Sequence, residues 1–266
     1  DNWANGCFLN QPGKTGIAKL GDQCMLELID NNAIKVDYSE LGAYGIDHSF
    51  ISDDFAVREL LHYFKTTKKL YFPSQQVIFN QSTNADSIYI IIKGMVKLLV
   101  YLPNGKARIV RLHGPGSVLG LTGMFKQLHE HKAVVVHDVV LLKIATYSLK
   151  LLRRQYPEKL LGIVEKVFEN LNMADAWITQ FSTGSIKARV ARLITFLSYL
   201  ETETSPDIVE LLTCEEMASV LGVTTESVSR ILAEFKRQQI LQRIGQSGEI
   251  YRRNPQILME LSQDAR

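Results

Sequence analysis

Residues 212–241 read LTCEEMASVLGVTTESVSRILAEFKRQQIL, which is the pattern of two short helices joined by a tight turn. Thr213 followed three residues later by Glu216 is the signature of a capping box, so the first helix starts there. Met217, Ala218 and Leu221 form its inward face, and Gly222 supplies the left-handed conformation that ends a helix. Val223 fills the turn, Thr224 caps the second helix, and Val228, Ile231, Leu232 and Phe235 recur at helical spacing. Thr225, Glu226, Ser229 and Arg230 then point outward from the first turns of that helix, where a recognition helix meets base edges in the major groove of DNA. A plain helical hairpin whose polar residues merely face water would show the same pattern, so the flanking sequence has to decide.

The flank favours DNA. Residues 241–244 and 249–252 surround Gly245-Gln246-Ser247-Gly248, a hairpin with a glycine-bearing loop, which makes the whole a winged helix-turn-helix. The chain's net charge of +2 gives no hint of a polyanionic partner. Between Thr225 and Arg253, however, Arg230, Lys236, Arg237, Arg243, Arg252 and Arg253 stand against Glu226, Glu234 and Glu249. A basic helix end and a basic wing suit phosphate contacts. The expected DNA-contacting set is Thr225, Glu226, Ser229, Arg230, Lys236, Arg237, Arg252 and Arg253.

At 266 residues with 46% hydrophobic content, the chain has room for two folded domains. Its longest apolar runs, such as residues 88–92 and 139–142, are far too short to cross a membrane. The sequence opens at Asp1 with no basic stretch followed by an apolar core. Cys7, Cys24 and Cys214 form no disulfide framework and no zinc or iron–sulfur spacing, so a reducing cytoplasm and no bound metal are expected.

From Lys69 to Ile144 the pattern changes to short apolar runs: LYFP, VIF, SIYIII, VKLLVYL, ARIVRL, AVVV and VVLLKI. Many short strands broken by Gly, Pro and Asn predict a β-sandwich or jelly roll. Pro103-Asn104-Gly105 marks a hairpin, Gly94 a bulge or sharp bend, and residues 114–120 lead to a short helical piece at 121–126. Leu160, Val164, Val167, Leu171, Ala174, Ile178 and Phe181 then alternate steps of four and three. This is a heptad seam suited to a second helix. A helix packed on its own domain carries a similar stripe, but a reader of two-fold DNA sites needs a two-fold partner, and the seam is assigned to a homodimer. Ser182-Thr183-Gly184-Ser185 interrupts the helix as an interdomain hinge, and Ser185 caps the next helix over residues 186–200.

A β-roll, a long dimer helix and a winged helix-turn-helix, in that order, form the layout of the cyclic-AMP receptor/fumarate-and-nitrate-regulator (CRP/FNR) family. The chain resembles that family from about Ile51 onward, through FPSQQVIFNQSTNADSIYIIIKGMVKLLV, GKARIVRLHGPGSVLG and LGVTTESVSRILAEF. The resemblance implies an α+β fold: a jelly-roll domain of the cyclic-nucleotide-binding kind over 51–153, a dimerisation helix over 154–181, and a DNA-binding domain over 182–266. Residues 1–50 are an extension of no assigned role, with a strand or short helix expected near 25–29. Glu226, Ser229 and Arg230 match the E-x-x-S-R pattern of the FNR-like branch, which implies palindromic TTGA-like half-sites. Arg230 can give a bidentate pair to guanine and Glu226 can accept from a cytosine amine, while Ser229 is short enough for a base or phosphate. Thr225 falls where the CRP branch carries a second guanine-reading arginine, which argues against CRP-type operators.

The resemblance also places an effector pocket at Gly120, Leu121, Thr122, His131 and Lys132, with Trp177 on the long helix as a further candidate. Cyclic-nucleotide binders carry a glutamate after the glycine matching Gly120 and an Arg-Ser pair further on. Here Leu121, His131 and Lys132 stand in those places. Leucine accepts no ribose hydroxyl and Lys132 lacks the arginine fork, so cyclic AMP is not expected. Two thiols, Cys7 and Cys24, do not make the four ligands of an iron–sulfur centre. His129 and His131 can share a strand face but read more simply as loop residues, and Cys214 as an inert first-turn thiol. The expectation is a homodimeric transcription regulator set by an unidentified small-molecule or redox signal, touching RNA polymerase if it activates. A β-roll sensor acting through protein partners is the alternative. An enzyme is not expected, since the chain holds no GxSxG, phosphate-binding loop or metal-ligand box.

Overall fold

The computed structural model of the chain describes residues 68–263, apart from 156, 158–160, 201–204, 206 and 246–248. The expected N-terminal extension, including the element near 25–29, lies outside the described residues. So do Leu160 of the expected seam and the 246–248 tip of the wing.

The first part of the described chain is an antiparallel sheet of β1 (Lys68–Phe72), β2 (Val77–Phe79), β3 (Ser87–Tyr101), β4 (Ala107–His113), β5 (Val118–Leu119) and β6 (Lys132–Ala145). Its order is β1-β6-β3-β4, with β2 pairing β6 and β5 pairing β3. The turn at Pro103-Asn104-Gly105 joins β3 to β4, with the Gly105 N–H donating to the Leu102 carbonyl at 2.9 Å and Gly105 at φ 77°. Two pairs of apolar runs that read as separate strands are continuous: SIYIII and VKLLVY make up β3, and AVVV and VVLLKI make up β6. Their pairing slips in register between Ile91 and Val96. Gly94 explains this, since it sits at φ 86° and a Cβ there would lie 2.1 Å from the Asp138 carbonyl oxygen. The bulge bends the strand pair without ending it.

Successive residues of β3 and β6 face opposite sides of the sheet. Val96, Ala133 and Val135 close the interior of the roll with Tyr89, Ile91, Leu119, Val139 and Leu141. Met95 and Val136, with Ile109 and Leu112 of β4, turn the other way into a core shared with the C-terminal domain. Burial on both faces is why AVVV shows no polar alternation.

A 3₁₀ turn (Leu121–Met124) precedes β6, as the sequence pattern expected. Three helices follow β6: α1 (Thr146–Gln155), α2 (Leu161–Ser182) and α3 (Ile186–Leu200). The C-terminal domain continues with β7 (Ile208–Glu210), α4 (Cys214–Leu221), α5 (Thr225–Arg237), β8 (Leu241–Arg243), β9 (Ile250–Arg253) and α6 (Pro255–Ser262). Its sheet has the order β7-β9-β8. Among the described residues no helix is long and apolar enough to cross a membrane.

The break between α2 and α3 falls at residues 183–185. Gly184 is at φ 83°, and the Ser185 hydroxyl accepts from the Ala188 N–H at 3.1 Å. Arg192 of α3 pins this corner from three sides. Its guanidinium donates to the carbonyls of Gln180 (2.9 Å), Thr183 (2.8 Å) and Ser262 (2.9 Å). Carbonyls at the end of a helix lack intrahelical partners, and an arginine fork suits them.

Along α2 the seam residues divide. Val164, Val167, Leu171 and Ile178 are exposed, as is Phe168, while Ala174 is half-buried. Phe181 departs from the expected seam: it is 2% exposed, packed edge-on against Trp177 and Phe196 with ring centroids 4.9 and 5.6 Å away. It closes the core of its own chain, because the last turn of α2 already faces α3.

Candidate nucleic-acid interface

Local chemistry sets both helices of the reading motif. The Thr213 hydroxyl accepts from the Glu216 N–H at 3.2 Å and the Glu216 carboxylate accepts from the Thr213 N–H at 3.0 Å, which completes the capping box of α4. Gly222 ends α4 at φ 65°. The Thr224 side chain then accepts from the Ser227 N–H at 3.3 Å and opens α5. Val228, Ile231, Leu232 and Phe235 are buried on one side of α5. Thr225, Glu226, Ser229 and Arg230 lie exposed on the other. A salt bridge from Lys187 of α3 to Glu234 at 2.7 Å ties the back of α5 to its support and holds the Glu234 carboxyl below the usual carboxylate range.

The basic residues expected on phosphate separate into two groups. Arg237 in the last turn of α5 and Arg252 on β9 are exposed. Lys236 is exposed but turned toward the wing, with its ammonium 4.7 Å from the Tyr251 ring centre and 3.7 Å from the Glu249 carboxylate. Arg253 does not belong to the contact surface. It is 3% exposed, with its guanidinium 5.7 Å from the Tyr199 ring centre. Adjacent strand residues face opposite ways, so only one of Arg252 and Arg253 can meet solvent.

The residues expected around an effector fall into separate neighbourhoods. Gly120 is at φ 78° against the Ser87 carbonyl and the His129 ring, and starts the 3₁₀ turn in which Leu121 is buried and Thr122 half-buried. His131 lies beside Arg111 and His113, and burial, then the Arg111 charge, lowers its pKa. The Lys132 ammonium turns to Tyr101, 3.2 Å from its hydroxyl. Trp177 belongs to the aromatic cluster of the C-terminal domain rather than to a roll pocket, packing on Phe181 and on Phe196 at 6.0 Å. His129 stacks on Phe79 at 3.8 Å. Leu121, buried in the 3₁₀ turn, carries no hydrogen-bonding group on its side chain.

A different space opens where the roll meets the C-terminal domain. A cavity of about 570 Å³ lies between β-roll residues including Gln75, Lys93 and His137 and C-terminal residues including Leu200, Glu210 and Glu216. His137 and Glu210 approach to 3.5 Å across it. The polar contacts joining the two domains were not foreseen. The only sequence signal for them was Lys97, a lysine inside the apolar run VKLLV, where burial demands a partner.

Comparison with known proteins agrees with this architecture. Residues 69–156 match the cyclic nucleotide-binding domain, and residues 188–261 match the Crp-like helix-turn-helix domain. The cAMP-activated global transcriptional regulator CRP of Salmonella typhimurium is 24% identical over 185 residues, covering 68% of this chain and 88% of that protein. The transcriptional regulator LdrP of Thermus thermophilus is 23% identical over 172 residues, covering 64% of this chain and 85% of its own length. The FixK2 structure from Bradyrhizobium japonicum superposes with a TM-score of 0.64 at 22% identity, covering 76% of this chain and all of FixK2. A β-roll joined through a long helix to a winged helix-turn-helix defines a DNA-binding transcription regulator. The chain belongs to the CRP/FNR family. Its relatives are transcriptional regulators rather than enzymes.

Proposed function

We propose that this chain is a homodimeric regulator whose two α5 helices read palindromic TTGA-like half-sites. The supporting observation is the division of α5 itself: four apolar residues are buried, while Thr225, Glu226, Ser229 and Arg230 stand free on the opposite edge. Arg230 reads guanine through a bidentate pair, Glu226 accepts from cytosine, and Ser229 makes a short base or phosphate contact. Arg237 and Arg252 neutralise phosphates. The dimer forms along α2, where Val164, Phe168, Leu171 and Ile178 are each about 60% exposed in the isolated chain and offer a continuous apolar stripe. Two copies then place their recognition helices about 34 Å apart, one turn of DNA.

The signal is a small molecule or redox change other than cyclic AMP, a reading supported by Leu121, whose side chain accepts no sugar hydroxyl, and by Lys132, which offers a single ammonium in place of an arginine fork. No iron–sulfur centre and no metal cofactor is part of the proposal. Competition binding decides the DNA reading: a duplex carrying inverted TTGA half-sites is expected to bind far more tightly than a shuffled duplex of equal length at the same salt. Equal affinities would reject the function.

A further inference from the structure

The first helix of the reading motif is fastened to the edge of the β-roll. β4 ends the order β1-β6-β3-β4, so among the described residues one side of its backbone has no neighbouring strand. The ladder with β3 is also irregular there. Leu98 pairs Arg111 but Leu99 pairs Ile109, leaving Val110 as an extra residue. Helix α4 covers this edge. The Ser219 hydroxyl accepts from the Ile109 N–H at 2.9 Å and donates to the Ala107 carbonyl at 3.4 Å. One hydroxyl thus takes the places of a donor and an acceptor that an adjoining strand would have supplied.

Beside it, the Lys97 ammonium of β3 pairs with Glu216 of α4, with side-chain exposures of only 9% and 13%. Glu216 serves two elements at once. One oxygen closes the capping box with Thr213 while the other meets Lys97, which also donates to Gln75 at 3.3 Å. Burial alone would raise the Glu216 pKa, but Lys97 and Thr213 outweigh it and hold the carboxyl below the usual carboxylate range. Gly222, at the end of α4, lies close against the Arg108 guanidinium, and a positive group at a helix C-terminus is favourable.

Resting on the DNA reading assigned above, we propose that Ser219, Lys97 and Glu216 are positioning residues for sequence recognition. They touch no base. They lock α4 onto the roll and so fix the direction from which α5 offers its exposed edge. A reader held in one orientation binds without first selecting it from many, and affinity falls with the fraction of molecules that remain docked.

The test uses the full chain and the inverted-TTGA duplex. Ser219→Ala and the double variant Lys97→Met with Glu216→Gln are expected to lose about five- to tenfold in affinity, as a docked fraction of roughly a tenth to a fifth implies. The rank order of single-base operator variants stays as in the parent, because α5 is intact. The Ile109 amide exchanges faster in Ser219→Ala, and Ser219→Thr, which keeps the hydroxyl, restores both affinity and protection. Cooperative unfolding of Ser219→Ala near the parent's temperature shows that the loss is not misfolding. Faster exchange at Ile109 with unchanged or tighter binding overturns the positioning role, and so does unchanged exchange together with unchanged binding. A parent chain that fails to distinguish the operator from its shuffle overturns the DNA reading and this inference with it. A selective parent with unaffected variants overturns this inference alone.

Discussion

Arg230 and His113 illustrate the range of residue chemistry in this chain. Arg230 is exposed at the second turn of α5, with nothing beneath it that its removal would collapse. Arg230→Ala is expected to cost about 1–3 kcal/mol on the cognate site and to blur preference at one base position. Binding to a panel of single-base variants measures this, and unaltered selectivity would reject the assignment. His113 is buried, and burial, then the nearby Arg111 and His131 charges, lowers its pKa to about 3. The folded protein therefore keeps it neutral while the unfolded chain takes up a proton near pH 6.5. Its stabilising contribution is fully present above pH 6.5 and falls by about 1.4 kcal/mol per pH unit as pH drops toward 3. Chemical denaturation across pH 4 to 7 checks this, with His113→Asn expected to show a shallower acid slope than the parent. An unchanged slope would mean that His113 is protonated in the fold.

Among the elements, the wing strand β9 shows how one residue step changes a role. Arg252 and Arg253 are neighbours of the same charge, yet one faces solvent and the other lies over Tyr199. Arg252→Ala is expected to weaken binding to all duplexes alike and to reduce the salt dependence by about one phosphate contact. Arg253→Ala is expected instead to destabilise the C-terminal domain by about 1–3 kcal/mol, as loss of a buried side chain does. A melting curve beside a salt titration separates the two. β7 and α6 were not anticipated, although α6 follows ordinary chemistry: Asn254 caps it by accepting from the Ile257 N–H at 3.2 Å, and Pro255 takes its first position. β7 has three residues and no periodicity to detect, and it exists because β9 offers it an edge.

At the level of the whole molecule, the shared core and the exposed stripe of α2 make opposite demands. The core joins Met95, Ile109, Leu112 and Val136 of the roll to α3, α4 and α5, so the two domains bury apolar surface in common. The stripe on α2 leaves Leu171 58% and Ile178 61% exposed. Leu171→Glu is expected to leave the single chain folded, since Leu171 is more than half exposed there, and to weaken the dimer at least about tenfold by setting a charge in an apolar seam. Sedimentation over a concentration series reads the shift, and DNA affinity is expected to fall with it. A variant that sediments like the parent would place the dimer contact elsewhere.

The sequence by itself determined the parts whose causes are local. The capping box at Thr213 and Glu216, the left-handed stop at Gly222, the apolar face of α5, the hairpin at Gly105 and the helix break at residues 183–185 all depend on neighbours within a turn or two. They could be read without coordinates for that reason. Only the tertiary structure decided what depends on partners far along the chain: the fusion of short apolar runs into β3 and β6, the inward turn of Phe181 and Trp177, the burial of Arg253, and the pairing of Lys97 with Glu216, 119 residues away. A periodic pattern states that a face is buried. Which distant surface buries it is settled only when the sheet closes and the helices pack against it.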